Sequence, residues 1–162
     1  MEVRRESTNF CVARDRALVV VVWGRDVIAD DLAQLSEVQR EVVGEYEHCV
    51  VTSIIRAGLS LAVKEDARKA GERNLAEFEG YTLGSAMVVE AGGLRASFFR
   101  SVVTGIQLVT RSAVPQKVFH NIDDSMRWLL AFPGIDPSTA QSVDELTAGA
   151  YALAERYGQP LD

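Results

Sequence analysis

The apolar residues of this chain follow two periods, short β-branched runs and longer stretches in which every third or fourth residue is apolar. Thr8 to Ala13 and Ala17 to Trp23 are β-rich runs separated by Arg14-Asp15-Arg16, the pattern of a hairpin feeding a buried second strand. Gly24 ends that strand, and Asp30 or Asp31 is placed to cap a helix with Leu32, Leu35, Val38 and Val42 on one face. His48 to Ile55 is continuous and β-branched, which suits a strand covered on both faces. Leu61 to Phe78 reads as a second helix, with Val63, Ala67, Ala70, Gly71, Leu75 and Phe78 along a narrow-bodied face. A strand is predicted from Leu83 to Val89. A helix from Leu94 to Arg111 follows, with Phe98, Phe99, Val102, Ile106 and Val109 inward, until Pro115 forbids its continuation. Gln116 to His120 makes a last strand, and Asn121 or Asp123 caps a helix from Asp124 to Ala131 that buries Met126, Leu129 and Leu130. Beyond Pro133-Gly134 and Pro137, a separate amphipathic helix from Ser142 to Tyr157 carries Val143, Leu146, Ala150, Leu153, Ala154 and Tyr157 at helical spacing.

Alternation of strand and helix implies an α/β fold. The expectation is a mixed, mostly parallel sheet of about five strands with about four helices, its first strand an antiparallel edge, plus a C-terminal helix. Residues 1–132 form the α/β domain in this reading, and 133–162 form a helical extension past a complete unit.

Composition narrows the class. With 162 residues, 48% of them hydrophobic and 25% charged, the chain matches one ordinary globular domain. A net charge of -6 without a basic stripe argues against nucleic acid as the main partner. The longest apolar run, Ala17 to Trp23, is too short to cross a membrane, and no signal peptide precedes it, so a cytoplasmic protein without membrane insertion is expected. Cys11 and Cys49 lie in predicted strands, where a thiol acts as a small core residue, and His48 and His120 lack the paired spacing of zinc ligands. No metal and no cofactor is assigned.

The ordered elements, the strand Ala86-Met87-Val88-Val89, and the ending Lys117-Val118-Phe119 followed by Asp123-Asp124-Ser125-Met126-Arg127-Trp128-Leu129 resemble the STAS superfamily, and more closely its SpoIIAA-like branch, over residues 7–132. The resemblance implies a small module that docks onto a partner or holds a small ligand rather than catalysing a reaction. Anti-sigma-factor antagonists of that superfamily carry a phosphorylatable Ser or Thr, usually beside an Asp, where the helix after the third strand begins. This chain departs from the pattern. It reads Arg56-Ala57-Gly58-Leu59-Ser60 there, without an Asp-Ser pair, which leaves Ser60 as the nearest candidate and puts a phosphoswitch in doubt.

The candidate ligand site is the strand-to-helix turn, where Glu90 ends a strand, Gly92 and Gly93 turn the chain, and Arg95 stands in the first turn of the next helix. Backbone N–H groups at a helix start attract anions, and a guanidinium adds a clamp for carboxylate or phosphate. The alternative use of Arg95 is an internal pair with Glu90 or Asp26. His120, closing the last strand, is the histidine that reaches this edge. No nucleophile-and-base pattern accompanies it, so no catalytic residue is assigned. Thr52 and Ser53 place hydroxyls in an apolar strand, one of them pointing inward, where bonding to nearby backbone is expected. Gly105 lets another backbone approach the helix from Leu94, and Trp23 and Trp128 are aromatic anchors for a partner or for intramolecular cover. The function expected is a non-enzymatic protein-interaction or regulatory module that self-associates as a homodimer. Trp128, Leu146, Leu153 and Tyr157 are its interface candidates. The alternative is a binding domain for a small anionic or amphipathic ligand at Glu90, Gly92, Gly93, Arg95 and His120.

Overall fold

The computed structural model describes residues 1–7, 10–24, 26–55, 63–89 and 112–157. The helix expected from Leu94 to Arg111, with Gly105, lies outside the described residues.

Six strands form one sheet in the order in which they occur: β1 (Glu2–Glu6), β2 (Phe10–Asp15), β3 (Leu18–Trp23), β4 (Cys49–Ile55), β5 (Thr82–Val89) and β6 (Gln116–Phe119). The first three are antiparallel neighbours, and β3 to β6 are parallel. Two long helices, α1 (Ala29–Tyr46) and α2 (Glu65–Phe78), connect the central strands. After β6 come α3 (Ile122–Leu130), the single-turn α4 (Pro137–Ala140) and α5 (Val143–Tyr157). No helix among the described residues is long and apolar enough to cross a membrane.

The mixed α/β class holds, with one more strand than expected. The strand read as the antiparallel edge, β2, is internal, because β1 pairs outside it from Glu2↔Arg14 to Glu6↔Cys11. Four of β1's five residues are charged, so it carries no apolar alternation to read. Its place comes from the ladder and from ion pairs. An irregularity between Val3 and Arg5 inserts Arg4 as an extra residue, and a bulge of this kind lets two successive side chains share a face. Arg4 pairs with Glu41 at 3.0 Å and Arg5 with Glu37 at 3.3 Å, while Arg14 of β2 pairs with Glu45, so one acidic row along α1 meets three arginines.

Because side chains alternate across a strand, β3 serves two cores at once. Leu18, Val20 and Val22 join Cys11, Ala13, Val50, Ile54, Ala86 and Val88 beneath α3 and α5, while Val19, Val21 and Trp23 join Phe10, Val12, Cys49 and Val51 beneath α1. The helix expected as an appendage past residue 132 is part of the first core. Leu146 and Ala150 are fully buried there, with Leu153 and Ala154 nearly so, which removes Leu146 and Leu153 as exposed interface residues. Helix α5 therefore belongs to the unit that it covers, packing on β2 and β3. The turn between β2 and β3 is also tied to this region, since the Ala17 N–H donates to Thr139 Oγ1 at 3.2 Å.

Trp128 is half-buried within the folded chain. Its ring meets Phe119 at 5.6 Å and stands edge-on to Phe132 at 4.8 Å. Phe132 in turn lies on Gly84, where a Cβ would fall 2.5 Å from the ring, so the glycine makes room for it. Trp23 is buried against Phe10 at 5.0 Å and is no exposed anchor. The helix starts also differ from expectation. Neither Asp30 nor Asp31 caps α1, whose N-cap is Ile28, and α2 begins at Glu65, leaving Val63 exposed instead of in the core. Asn121 does cap α3, accepting from the Asp124 N–H at 2.8 Å.

Thr52 departs from expectation in the opposite way. It is fully buried on the α3 face of β4 between Val20 and Ala86 of the neighbouring strands, and its Oγ1 has no hydrogen-bond partner among the described residues. A buried orphan hydroxyl costs roughly 1–3 kcal/mol relative to a satisfied one. Thr52→Val, which keeps the shape and removes the hydroxyl, is expected to raise unfolding free energy by about 1 kcal/mol in urea titrations. Leu146→Ala is expected to lower it by about 2–5 kcal/mol, as a fully buried leucine does in a core it helps to close.

Candidate functional site

The parallel strands β3, β4 and β5 finish together, with Trp23 opposite Ile55 and Ile55 opposite Val89, and Phe119 of β6 lies opposite Val88. In open α/β sheets this carboxyl edge is where connections leave room for ligands and partners. Helices α1 and α2 both start from it and run side by side. Asn74 of α2 donates to Ser36 Oγ at 2.8 Å and to Gln39 Oε1 at 2.7 Å on α1, and Arg40 donates to Glu77 at 3.0 Å one turn further along. This partly buried amide clamp sets one helix against the other, so that their first residues stand at the same end.

Two large apolar side chains are left in water there. Ile28, just before α1, is 47% exposed and Val63, just before α2, is 46% exposed. Neither helix start has a side-chain cap. Exposed isoleucine and valine are ordinary when solitary, and here one stands before each of the two helix starts at this edge. Lys64, Asp26 and Asp30 surround them as exposed charges.

Asp31 adds an ionisable group to this end. It lies in the first turn of α1 and is buried to 3% exposure. Burial, and then the neighbouring Asp30 carboxylate, push its carboxyl above the usual aspartate range. The helix dipole acts in the opposite sense, favouring an anion in the first turn, and the loss of water outweighs it.

The sequence-derived ligand residues are not brought together in what the structure describes. Glu90, Gly92, Gly93 and Arg95 lie outside the described residues, as does Ser60. His120 is described, exposed, and follows Phe119 at the end of β6, which puts it at the carboxyl edge as expected. Of the interface candidates, Trp128 is engaged by Phe119 and Phe132, and Tyr157 donates its hydroxyl to Glu6 of β1. Ser125 of the Asp124-Ser125 dipeptide is fully buried and donates to the Ile122 carbonyl at 2.8 Å, which closes it to modification in the folded chain. Both cysteines are free and buried. Desolvation, with Glu6 nearby, pushes the Cys11 thiol up to about 12, and burial raises Cys49 as well, so neither is a ready nucleophile. Among the described residues no group of three or more His, Cys, Asp or Glu side chains is placed to hold a metal.

What sequence reading missed is the pair Ile28 and Val63. Val63 was counted as core because it continues the apolar spacing of α2. The acidic pair Glu65-Asp66, characteristic of a first helical turn, was the signal that the helix starts two residues later.

A protonated Asp31 favours the folded state. Its folded pKa lies above the unfolded one, so its favourable contribution is complete below the ordinary aspartate pKa and is lost as pH rises through the folded value. Asp31→Asn, which is neutral throughout, is therefore expected to be more stable than the parent at pH 7. That advantage should shrink as pH falls through the raised folded value and be gone below the ordinary aspartate pKa, a trend readable from thermal unfolding across pH.

No known protein-family model matches the chain, and no curated protein matches it. Among solved structures it is similar to an uncharacterized protein of the DUF3478 family with a SpoIIAA-like fold from Shewanella loihica PV-4. The two share 14% sequence identity with a TM-score of 0.49, over 74% of this chain and 91% of that one.

Proposed function

We propose that this chain is a non-catalytic interaction module that docks onto protein partners, a second copy of itself included, through the carboxyl edge of its parallel strands. The observation that carries this reading is the exposed pair Ile28 and Val63, held at one end by the amide clamp between α1 and α2. A docking surface gains from apolar area that is presented on a rigid scaffold, because little side-chain and backbone entropy is lost on binding. The charged rim of Asp26, Asp30 and Lys64 supplies orientation. The buried thiols and the buried Ser125 hydroxyl support a structural use of groups that an enzyme would expose.

Native mass spectrometry over a concentration series, followed by denaturing analysis for any co-purified small molecule, tests the reading. A ligand-free dimer that dissociates on dilution is the expected result. A monomer carrying a stoichiometric small molecule would overturn it in favour of ligand binding. The variant Ile28→Asp with Val63→Asp is expected to unfold within about 0.5 kcal/mol per substitution of the parent, since both positions are exposed. Its dimer should be weaker by roughly tenfold or more, because a charge is placed in an apolar contact.

A further inference from the structure

We infer that β1 is a releasable strap, held on the domain by its ladder to β2 and by charge rather than by core packing, and that a second copy of this chain docks by exchanging its β1 for the resident one on the edge of β2. The inference deepens the self-association just proposed and rests on it, but uses a different edge of the sheet.

Three observations carry it. First, β1 contributes little to either core. Its residues are half-buried or exposed, and Val3 alone packs against a core cluster. Second, its remaining side-chain attachments are polar. Arg4 reaches Glu41 and Arg5 reaches Glu37 on the α1 side, while Tyr157 holds Glu6 on the α5 side and the Met1 ammonium meets Asp15 at 3.0 Å. The Arg4 and Arg5 pairs are partly exposed and screened by salt, the Met1–Asp15 pair less so, and the valine ladder of β3 is not. Third, the strand beneath is of the opposite character. Phe10, Cys11, Val12 and Ala13 of β2 are all buried, so opening β1 bares a backbone edge on an apolar strand, a ready template for another chain.

The occupant follows from complementarity. The row Glu37, Glu41 accepts two consecutive arginines, and the bulge at Arg4 is what lets both reach it. A second copy carries the same bulged strand, so each ladder bond and ion pair within one chain can be remade between two.

The register supplies the experiment. Glu6 and Cys11 are cross-strand partners on one face, so Glu6→Cys places a thiol opposite a native one. The full-length variant is incubated at high protein concentration in about 50 mM or about 1 M NaCl, oxidised with diamide, and run on non-reducing gels. Exchange predicts disulfide-linked dimers that form at least about fivefold faster at the higher salt, because opening is the step that salt eases, and that vanish when Cys11→Ser is added. Intrachain bridges alone at both salts overturn the proposal. If light scattering still shows a dimer in that case, self-association stands and exchange falls; a monomer throughout removes both. Hydrogen exchange on the unmodified chain decides the matter without the variant. The β1 amides should exchange about tenfold faster in high salt while those of β3 do not change, and equal protection of β1 and β3 at both salts overturns the strap.

Discussion

Everything in this molecule is arranged around β3, a strand of six apolar residues buried on both faces. A strand of that kind cannot lie at a surface, and it cannot be served by one layer of helices. Its even-numbered side chains need a cover and its odd-numbered side chains need another. Helix α1 meets the second demand with Leu35, Val38 and Val42, and α3 with α5 meets the first. The three-layer architecture is the consequence of that one strand. It also explains why α5, which looks detachable along the chain, is inseparable in space.

The polar residues are used in two distinct ways. Between α1 and α2 the amide of Asn74 reaches Ser36 and Gln39 in a buried setting, where unsatisfied groups are costly and a complete set fixes one geometry. That geometry sets the starts of α1 and α2, which Ile28 and Val63 precede, at one end of the helix pair. At the opposite, β1 side of the sheet the charges lie nearer water, contribute less energy, and respond to ionic strength. Specific positioning comes from the first set and adjustable attachment from the second. The two proposed surfaces fall on these two sides for that reason.

The fold was largely legible from the residues, and the candidate site was not. The strands β2 to β6 announce themselves because burial selects β-branched residues and turns select Gly, Pro and Asp. The edge strand β1 was illegible because it is specified by pairing with β2 and by charges on α1 more than thirty residues away in the chain, as with Arg5 and Glu37. Trp128 illustrates a related limit. Its helical position indicated an aromatic ring needing cover, yet which cover it receives depends on Gly84, distant in sequence, leaving room for Phe132.

What the sequence by itself determined was the kind and order of the elements, since period, capping and turn chemistry are local properties that neighbours a few residues apart enforce. The caps at Asn121 and the breaks at Gly24 and Pro115 belong to that class. Only the tertiary structure decided that β1 is the outer strand, that Leu146 and Leu153 face inward, that Thr52 is buried without a partner, and that Ile28 and Val63 share an exposed end. Each of these depends on which elements meet across the sheet. Burial and pairing are properties of contacts between remote segments, and an amphipathic helix or a charged pentapeptide is compatible with several neighbours until the packed core selects one.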